Sequence, residues 1–407
     1  MKYVIIIPDG CSDQPIEQLG NQTPLQAAKV PNMDRVAAAG LVGRTDNVPL
    51  HFPAGSEVAN MTLFGYDPNL YFTGRAPIEA AAQGIQLGAF DWAIRCNLVT
   101  IVDQIMVDFT ADHISSTEAA ELLSSFKGIV ADSSFEFVPG VSYRNLLIYR
   151  GGSSAESPFN EDTRTRAPHD LTDLPVVDDY PRGPGSDLLV DLMQKCQTVL
   201  GSHEINLERV AAGKKPATNT WLWGQGRSPS LPSFADRFAI RGAMITAVDL
   251  LRGLAALMGW DRIEVAGATG YLDTNYAGKG QAAVEALDRY DIVCVHVEAT
   301  DEASHEGRFD EKVKALERID EHIVGPVMEK LSTFDAYRML ILPDHPTPCS
   351  TKKHSHGMVP LTVCGRGIAS SGLVYSEAVA EESNLAFANG WEMMPAFIGQ
   401  ENWPKDS

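Results

Sequence analysis

Three short apolar runs recur along the chain, and an acidic residue follows each of them within a few positions. The runs are Tyr3–Ile7, Asp291–Val297 and Tyr337–Leu342. Continuous apolar runs of this kind, bounded by breakers, are typical of parallel strands that are covered on both faces. Ligands gather outside the carboxyl ends of such strands, so we predict that Asp9, Asp301 and Asp344 meet at one edge of a sheet. Each aspartate taken alone is equally consistent with a helix cap or a turn.

Helical periodicity separates these strands. Helices are predicted at Pro31–Ala39, Ala247–Leu257 and Lys312–Leu331. Alternating strands and helices over this length predict an α/β fold, with a doubly wound, mostly parallel sheet and helices on both faces.

The pattern changes after about residue 92. Apolar runs at Cys96–Val102 and Tyr143–Tyr149 flank a helical Thr117–Phe126, and a stretch rich in Gly, Ser, Pro and Asp extends from Gly151 to Gly185. We therefore predict a smaller α/β domain, 93–184, inserted into a larger domain formed by 1–92 and 185–407.

Composition and charge argue against several classes of protein. A formal net charge of −20 over 407 residues argues against nucleic-acid binding, and no apolar run approaches the roughly 18 residues of a membrane span. The first apolar stretch is too short for a signal peptide. Six scattered cysteines without a CxxC pair favour reduced thiols and a cytoplasmic protein. An anionic substrate would need a metal ion or a local basic cluster to overcome the overall charge.

Acidic and histidine side chains occur together after two of the strands. Asp301 and His305 are four residues apart, which places them on one face of a helical turn. Asp344 directly precedes His345. Carboxylate and imidazole ligands without thiolates suit Mn²⁺, Zn²⁺, Mg²⁺, Co²⁺ or Fe²⁺.

Further ligands come from the first strand and from the segment KKHSHGMVP. With Asp9 and His354 the set is large enough for two ions, which could clamp the attacking and leaving oxygens of a phosphoryl displacement. His356 is the alternative to His354 as a ligand. A lone histidine is more often structural than ligating, and His296 and His356 are candidates for that role.

A Gly-Ser pair opens an apolar helix at Ser56, in the segment PAGSEVANMTLFGY. Serine at such a position is first of all an N-cap. The alternative is a nucleophile that an adjacent metal ion activates, with the helix N-terminus favouring the phosphoryl group that it receives.

The order of motifs along the chain identifies a family. The motifs are PDG, PxGSEVAN, GYDP, TGRAPIEA, RCNLVT, PGVSYRNLL, PHD, WLWGQG, GATGYLDTNY, HVEATDEASHEG, PDHPTP and KKHSHGMVP. Together they resemble the archaeal-type cofactor-independent phosphoglycerate mutases, from Met1 to about Gly399. The resemblance implies an alkaline-phosphatase-like fold and interconversion of 3-phosphoglycerate and 2-phosphoglycerate through a phosphoserine. It also implies two divalent metal ions (Mn, Zn, Co or Mg) and no 2,3-bisphosphoglycerate.

Site residues follow from the resemblance. It implies that Asp9, Ser56, Asp344 and His345 surround one ion and that Asp301, His305 and His354 hold the other. Ser56 is then the phosphoryl acceptor. Residues for the anionic groups of the substrate would be Arg75, Arg95, His113, Arg144 and Lys279. His113 and Arg144 lie in the insertion, so the resemblance implies that 93–184 is a substrate-binding domain and that 1–92 and 185–407 form the metal-binding catalytic domain. The substrate would be held between the two. The alternative for a single arginine such as Arg95 is a structural ion pair.

Two departures from the family pattern concern the substrate. Thr300 stands where the family usually has proline, and Gly357-Met358 replaces an acidic residue and proline. A branch of the family has been proposed to act as a homoserine kinase, which is one alternative function. A metal-dependent phosphomonoesterase is a second, and a phosphometabolite-binding protein without turnover is a third. The oligomeric state is left open by the sequence.

Overall fold

The computed structural model describes residues 1–131, 133–152, 157–399 and 403. The strands are β1 (Lys2–Pro8), β2 (Gly40–Thr45), β3 (Trp92–Val102), β4 (Ile105–Asp108), β5 (Phe135–Val141), β6 (Arg144–Tyr149), β7 (Asn219–Gly226), β8 (Gly242–Ile245), β9 (Asp261–Arg262), β10 (Ile292–Val297), β11 (Tyr337–Ile341), β12 (Val359–Gly365) and β13 (Ala386–Phe387).

The α-helices are α1 (Pro24–Ala27), α2 (Pro31–Ala38), α3 (Ser56–Leu63), α4 (Pro68–Tyr71), α5 (Arg75–Ala82), α6 (Ser116–Ser124), α7 (Lys127–Val130), α8 (Ser186–Leu200), α9 (Glu204–Ala211), α10 (Phe234–Phe238), α11 (Asp249–Met258), α12 (Tyr276–Ala286), α13 (Ala299–Glu306), α14 (Phe309–Ile319), α15 (Gly325–Leu331), α16 (Glu377–Glu382) and α17 (Met393–Ile398). A π-helical segment, Asp320–Val324, joins α14 to α15 within the region that the sequence predicts as one helix.

The chain divides into two compact units. The larger unit comprises Met1–Phe72 and Ser230–Ser407, and the smaller unit comprises Thr73–Pro229. The larger unit contains an eight-stranded sheet with the strand order β13-β2-β12-β11-β1-β10-β8-β9. Every pairing is parallel except those of β12 with β11 and with β2. The predicted mostly parallel sheet is confirmed.

Helices cover both faces of this sheet. One core contains Val4 and Ile6 of β1 together with apolar side chains of α2, α12, α14 and α15. The intervening Ile5 is also fully buried, and on its side of the sheet Tyr3 packs edge-on against Phe397 of α17, with ring centroids 5.6 Å apart. Because residues of a strand alternate between faces, both sets of helices are needed to bury β1. The doubly wound arrangement is thereby confirmed.

An antiparallel five-stranded sheet forms the smaller unit, in the order β4-β3-β6-β5 with β7 also paired to β3. Helix α5 packs on this sheet through Ala76 and Ala80, against Ala93 of β3. The unit is therefore wider than the predicted insertion 93–184. The helix before β3 and the distant strand β7 both belong to it, because α5 packs on Ala93 of β3 and β7 is hydrogen-bonded to β3. The assignment of the two segments to catalysis and to substrate binding stays a prediction.

All six cysteines are buried and unpaired. No helix in the described part of the chain combines the length and the apolar character that crossing a membrane requires.

Candidate metal centre

The sheet brings three distant segments to one edge. Strand β1 lies between β10 and β11 and is parallel to both, with Pro8 opposite Val297 and Ile6 opposite Ile341. Asp9 follows β1 directly, Glu298 follows β10, and Asp344 comes shortly after β11. Neighbouring parallel strands present their carboxyl ends together. The prediction that the strand ends converge is confirmed.

Asp301, His305 and His354 form what we call the histidine cluster. Asp301 and His305 both lie on α13, and Nε2 of His305 is 2.9 Å from Oδ2 of Asp301. Nε2 of His354 lies 3.0 Å from that of His305 and 3.4 Å from the same carboxylate oxygen. Three potential ligand atoms therefore converge on a single point, where a divalent cation could replace the shared protons.

Hydrogen bonding orients the ring of His305. Its Nδ1 lies 2.9 Å from the carbonyl oxygen of Lys352. Since a carbonyl only accepts, Nδ1 carries the proton and Nε2 is the atom available to a cation. Burial lowers the pKa of His305, but the hydrogen bond and charge of Asp301 outweigh that effect and raise the pKa to about 9 in the absence of a cation.

Asp9, Ser56, Asp344 and His345 form what we call the serine cluster. Nε2 of His345 lies 3.0 Å from Oγ of Ser56, 3.4 Å from Oδ2 of Asp344 and 3.6 Å from Oδ1 of Asp9. Asp344 is anchored by Asn60, whose Nδ2 donates to Oδ2 over 2.7 Å. Both aspartates and His345 are buried. All four residues that the resemblance implies for one ion are thus neighbours.

Ser56 is not the cap of its helix. Gly55 occupies the N-cap position of α3 and makes no side-chain capping bond, while Ser56 is the first helical residue. The capping interpretation of Ser56 is therefore wrong. Its hydroxyl points to His345 instead, because the loop before α3 delivers the helix N-terminus to the sheet edge.

Thr347 fixes the protonation pattern of His345. The hydroxyl of Thr347 donates to Oδ1 of Asp301 over 2.6 Å. Its oxygen lies 3.1 Å from Nδ1 of His345, and since the hydroxyl proton is used, Nδ1 of His345 is the donor. The lone pair of Nε2 then faces Ser56. Thr347 thereby links the histidine cluster to the serine cluster. It is the threonine of the motif PDHPTP, but sequence spacing alone does not reveal this role.

Gly10 is required by the close approach of the two clusters. Its φ is +58°, and a Cβ there would lie 2.3 Å from Oδ1 of Asp301 and 2.6 Å from Oγ1 of Thr347. Its amide donates to Oδ1 of Asp344 over 3.1 Å. The glycine of the PDG motif thus lets the chain after β1 pass between ligands of both clusters.

His296 and Glu298 lie next to Asp9, although the sequence did not place either residue in the site. Nε2 of His296 lies 2.7 Å from Oδ2 of Asp9 and 3.6 Å from Glu298. Nδ1 of His296 lies 3.1 Å from Oγ1 of Thr246, which also accepts the amide of Val248. Since the carboxylate of Asp9 accepts, Nε2 of the neutral His296 carries the proton and donates to Asp9, and Nδ1 accepts the hydroxyl of Thr246. The position of His296 inside an apolar strand made it look purely structural.

The residues present fit a cation. Oδ1 of Asp9 is buried and has no hydrogen-bond partner among the described residues. Burial raises the pKa of Asp9 well above its usual value, and the nearby carboxylates of Asp344, Glu298 and Asp301 raise it further. Such crowding of buried carboxylates is costly without a compensating positive charge. Oxygen and imidazole donors of this kind suit the divalent ions that the sequence predicts.

Lys279 of α12 is buried in the same unit. Its Nζ donates to the carbonyl oxygen of His296 over 3.1 Å. Burial lowers the pKa of Lys279 to about 8, although the charge of Glu298 opposes that shift. The lysine is thus held against the strand that precedes the histidine cluster. His356, the alternative ligand, donates from Nε2 to the carbonyl oxygen of Phe52 and belongs to neither cluster.

The remaining predicted substrate residues lie in the smaller unit, where three arginines surround Glu79. Arg75 Nε lies 3.0 Å from Oε1 of Glu79, and Arg95 Nε lies 2.8 Å from Oε2. The guanidinium of Arg95 also stacks on Trp223, 4.1 Å from the ring centroid. Burial raises the pKa of Glu79, but the charges of Arg95, Arg75 and Arg144 outweigh it and lower the pKa. Arg95 therefore makes a buried ion pair within this unit.

His113 and Arg144 flank one aromatic ring. The ring centroids of His113 and Tyr143 are 6.4 Å apart in an edge-on arrangement. The guanidinium carbon of Arg144 lies 5.7 Å from the centroid of Tyr143. The structure thus brings these two predicted substrate residues to one surface of the smaller unit.

Comparison with known proteins agrees with these motifs. The family model of 2,3-bisphosphoglycerate-independent phosphoglycerate mutase matches residues 37–206. A probable enzyme of that name from Geobacter sulfurreducens is 42% identical over 404 residues, covering 98% of this chain and all of the relative. A 2,3-bisphosphoglycerate-independent phosphoglycerate mutase from Methanothrix thermoacetophila is 44% identical over 400 residues, with 98% of this chain and 100% of the relative covered.

Solved structures give the same picture. A Pyrococcus horikoshii protein superposes with a TM-score of 0.81 at 28% identity, covering 99% of both chains. A cofactor-independent phosphoglycerate mutase from Thermoplasma acidophilum gives a TM-score of 0.66 at 26% identity, over 98% of this chain and 100% of that one. With near-complete coverage at more than 40% identity, the chain belongs to the 2,3-bisphosphoglycerate-independent phosphoglycerate mutase family.

Proposed function

We propose that this chain interconverts 3-phosphoglycerate and 2-phosphoglycerate through a phosphoserine at Ser56. The observation that carries the proposal is the 3.0 Å contact between Oγ of Ser56 and Nε2 of His345, within a buried set of ligand-type side chains. A hydroxyl at that place needs activation to act as a nucleophile, and His345, whose Nε2 faces it, is one of the residues that would hold a cation there.

Two divalent cations would be held by the two clusters. The serine cluster offers Asp9, Ser56, Asp344 and His345, and the histidine cluster offers Asp301, His305 and His354. When bound, the cations supply a lowered pKa for the serine hydroxyl and neutralisation of charge on the transferring phosphoryl group. Mn²⁺, Zn²⁺, Co²⁺ and Mg²⁺ are the candidates, and no 2,3-bisphosphoglycerate is required.

The chemical step exchanges one ester for another. Oγ of Ser56 attacks phosphorus, the bond from phosphorus to the substrate oxygen breaks, and the proton lost by Ser56 ends on the released glycerate hydroxyl. Glycerate then presents its other hydroxyl, which attacks the phosphoserine and restores Ser56. The start of α3 favours the phosphoryl group, because the first amides of a helix point outward as donors.

The anionic groups of the substrate need fixed positive charges. We assign this role to the exposed His113 and Arg144 and the partly exposed Arg75 of the smaller unit. Arg95, buried in its ion pair with Glu79, and Lys279, buried against His296 in the larger unit, would bind substrate only by giving up those contacts. The planar fork of arginine binds carboxylate and phosphate with two hydrogen bonds. Contacts of this kind would hold the glycerate while it reorients.

A coupled assay in both mutase directions tests the proposal. The chelated protein is assayed after addition of Mn²⁺, Co²⁺, Zn²⁺ or Mg²⁺, beside parallel reactions with ATP plus homoserine and with a simple phosphate monoester. We expect metal-dependent mutase turnover in both directions that exceeds the other two activities. Phosphorylation of homoserine, or release of phosphate from the monoester at a higher kcat/KM than mutase turnover, would contradict the assignment.

A further inference from the structure

A left-handed turn without glycine precedes α6. Ala111, Asp112 and His113 have φ values of +48°, +56° and +49°. Residues with a Cβ disfavour this conformation, which normally occurs singly and at glycine or asparagine. Glycine would form the same turn without this steric penalty. Consecutive residues of this kind persist only where their surroundings fix them, and they concentrate at functional sites.

Asp108 fixes the turn from one side. Its Oδ1 accepts the amide and the hydroxyl of Thr110, over 2.8 and 2.6 Å. Its Oδ2 accepts the amide of Asp112 over 3.3 Å and Nζ of Lys215 over 2.9 Å. Burial raises the pKa of Asp108, but hydrogen bonds from Thr110 and Lys215 outweigh it and keep the pKa below its usual value. The carboxylate therefore remains an acceptor for all four donors.

Thr110 transmits this restraint to His113. Because the Thr110 hydroxyl donates to Asp108, its oxygen is left to accept, and it accepts the amide of His113 over 3.1 Å. On the other side of the turn, Nη2 of the buried Arg209 donates to the carbonyl oxygen of Ala111 over 2.6 Å. Arg209 is itself paired with Glu118 at 3.0 Å.

The result is an exposed histidine on a rigid backbone. Ala111 is buried, whereas Asp112 and His113 are exposed. The ring of His113 meets Tyr143 edge-on, and the guanidinium of Arg144 lies over the same tyrosine. An imidazole and a guanidinium beside the same aromatic ring form a surface with the donors and the charge to bind a phosphate or carboxylate.

We infer that Asp108 and Thr110 are positioning residues, which hold His113 beside Tyr143 and Arg144 so that an anionic group of the substrate binds there. This inference rests on the proposed function for the identity of that substrate, phosphoglycerate. It adds two residues that contact no substrate themselves and act through the backbone of His113. A preorganised histidine loses less freedom on binding, so loosening the turn weakens substrate binding rather than the chemical step.

The test removes one hydroxyl. Thr110→Val keeps the shape of the side chain but cannot accept the amide of His113, whereas Thr110→Ser retains the acceptor. Thr218→Val is the matched control, since the Thr218 hydroxyl accepts the amide of Ile101 in the same unit. Each variant is assayed as the full metal-loaded chain for KM and kcat, and again in the His113→Gln background.

We expect Thr110→Val to raise KM for 3-phosphoglycerate about tenfold with a smaller change in kcat, and Thr110→Ser to restore KM. Thr218→Val should leave KM unchanged. In the His113→Gln background, Thr110→Val should add nothing further, because both changes interrupt one interaction. Additive effects of the two substitutions would overturn the inference, since they would show that Thr110 does not act through His113.

A second measurement reads the position of His113 without turnover. In ¹³C-histidine-labelled protein with Mg²⁺, the ring resonance of His113, assigned through His113→Gln, is shifted by the adjacent Tyr143 ring. Thr110→Val should move it toward the value of a free histidine, and an unmoved resonance would overturn the inference. A wild-type chain that turns over no phosphoglycerate would refute the proposed function instead, while the resonance still decides whether Thr110 positions His113.

Discussion

Oγ of Ser56 and Nε2 of His345 lie 3.0 Å apart although 289 residues separate them in the chain. One stands at the start of α3 and the other just beyond β11, which neighbours β1 in the sheet. The contact joins the candidate nucleophile to the candidate ligands, so most of the predicted chemistry depends on it.

Removal of the Ser56 hydroxyl should separate catalysis from metal binding. We expect Ser56→Ala to lower kcat on the order of 10³-fold or more, because the phosphoryl acceptor is lost. Affinity for Mn²⁺, measured by titration calorimetry, should fall far less, since the aspartates and histidines of both clusters remain. Ser355→Ala is the control, because its hydroxyl makes only a 3.4 Å bond to a carbonyl oxygen. Mutase turnover of Ser56→Ala near the wild-type rate would refute the nucleophile assignment.

Gly10→Ala should disturb the clusters without unfolding the protein. Its Cβ would meet Asp301 and Thr347 at 2.3 and 2.6 Å, and φ is +58°. Gly20→Ala provides the matched control, with φ at +68° and nothing within 4 Å of the added Cβ. Both variants should lose about 1 kcal/mol of stability from backbone strain, and only Gly10→Ala should bind Mn²⁺ more weakly. Equal Mn²⁺ affinity in the two variants would show that Gly10 is not required by the clusters.

Proton release should accompany metal binding. In the metal-free protein the pKa of His305 is raised to about 9, so its Nε2 is protonated at pH 7.5. A cation bound there must displace this proton, and apparent affinity should rise with pH up to about 9. Calorimetry in buffers of different ionisation enthalpy measures the protons released. His305→Gln should release fewer protons and His356→Gln as many as wild type; no difference between these variants would contradict the ligand role of His305.

The ion pair between Asp301 and His305 should make the stability of the metal-free protein fall as the pH rises, whereas metal affinity rises with pH. A raised pKa means that the Asp301–His305 pair stabilises the fold fully below the unfolded-state pKa of about 6.5. This contribution is lost as the pH rises through about 9. Thermal unfolding of the chelated protein should therefore show that the stability difference between wild type and His305→Gln shrinks from pH 6 to pH 9.5. A difference that is constant over this range would contradict the assigned pair.

Glu79 should be essential to the arginine cluster of the smaller unit. Glu79→Gln leaves the buried Arg95 without its carboxylate, which should cost about 3 kcal/mol of stability and raise KM for phosphoglycerate as Arg75 and Arg95 are released. Glu136→Gln is the control: its contact with Arg150 is 3.4 Å long and largely exposed, so a loss below about 1 kcal/mol is expected. Urea denaturation compares the two, and equal losses would show that Glu79 makes only a surface ion pair.

The strand ends and the pairs of ligand residues could be predicted from the sequence, because the patterns that identify them span only a few neighbouring residues. An apolar run followed by an acidic residue identifies Asp9 and Asp344, and a spacing of four identifies Asp301 and His305. The choice between His354 and His356 needed the structure, since both lie in one short loop. Only the fold shows that Nε2 of His354 faces Asp301 while His356 turns to Phe52.

Residues that orient the ligand side chains could not be predicted from the sequence. Thr347, Thr246 and His296 acquire their roles from hydrogen bonds that cross between strands and loops, and their residue types carry no distinctive pattern. The extent of the smaller unit was hidden for a related reason. Strand β7 pairs with β3 more than one hundred residues earlier in the chain, and local periodicity does not record which strands pair.

Trapping the phosphoenzyme tests whether Ser56 carries the phosphoryl group during turnover. Metal-loaded enzyme is mixed with 3-phosphoglycerate labelled with ³²P and quenched within milliseconds in a denaturant with chelator at neutral pH, which preserves both phosphoserine and phosphohistidine. The protein is digested at the same pH, and the labelled peptide is sequenced by mass spectrometry. We predict a phosphoserine at Ser56 that forms and decays at rates compatible with turnover, and no labelled peptide from Ser56→Ala. Label on a histidine, or turnover without any labelled protein at the earliest times, would contradict it.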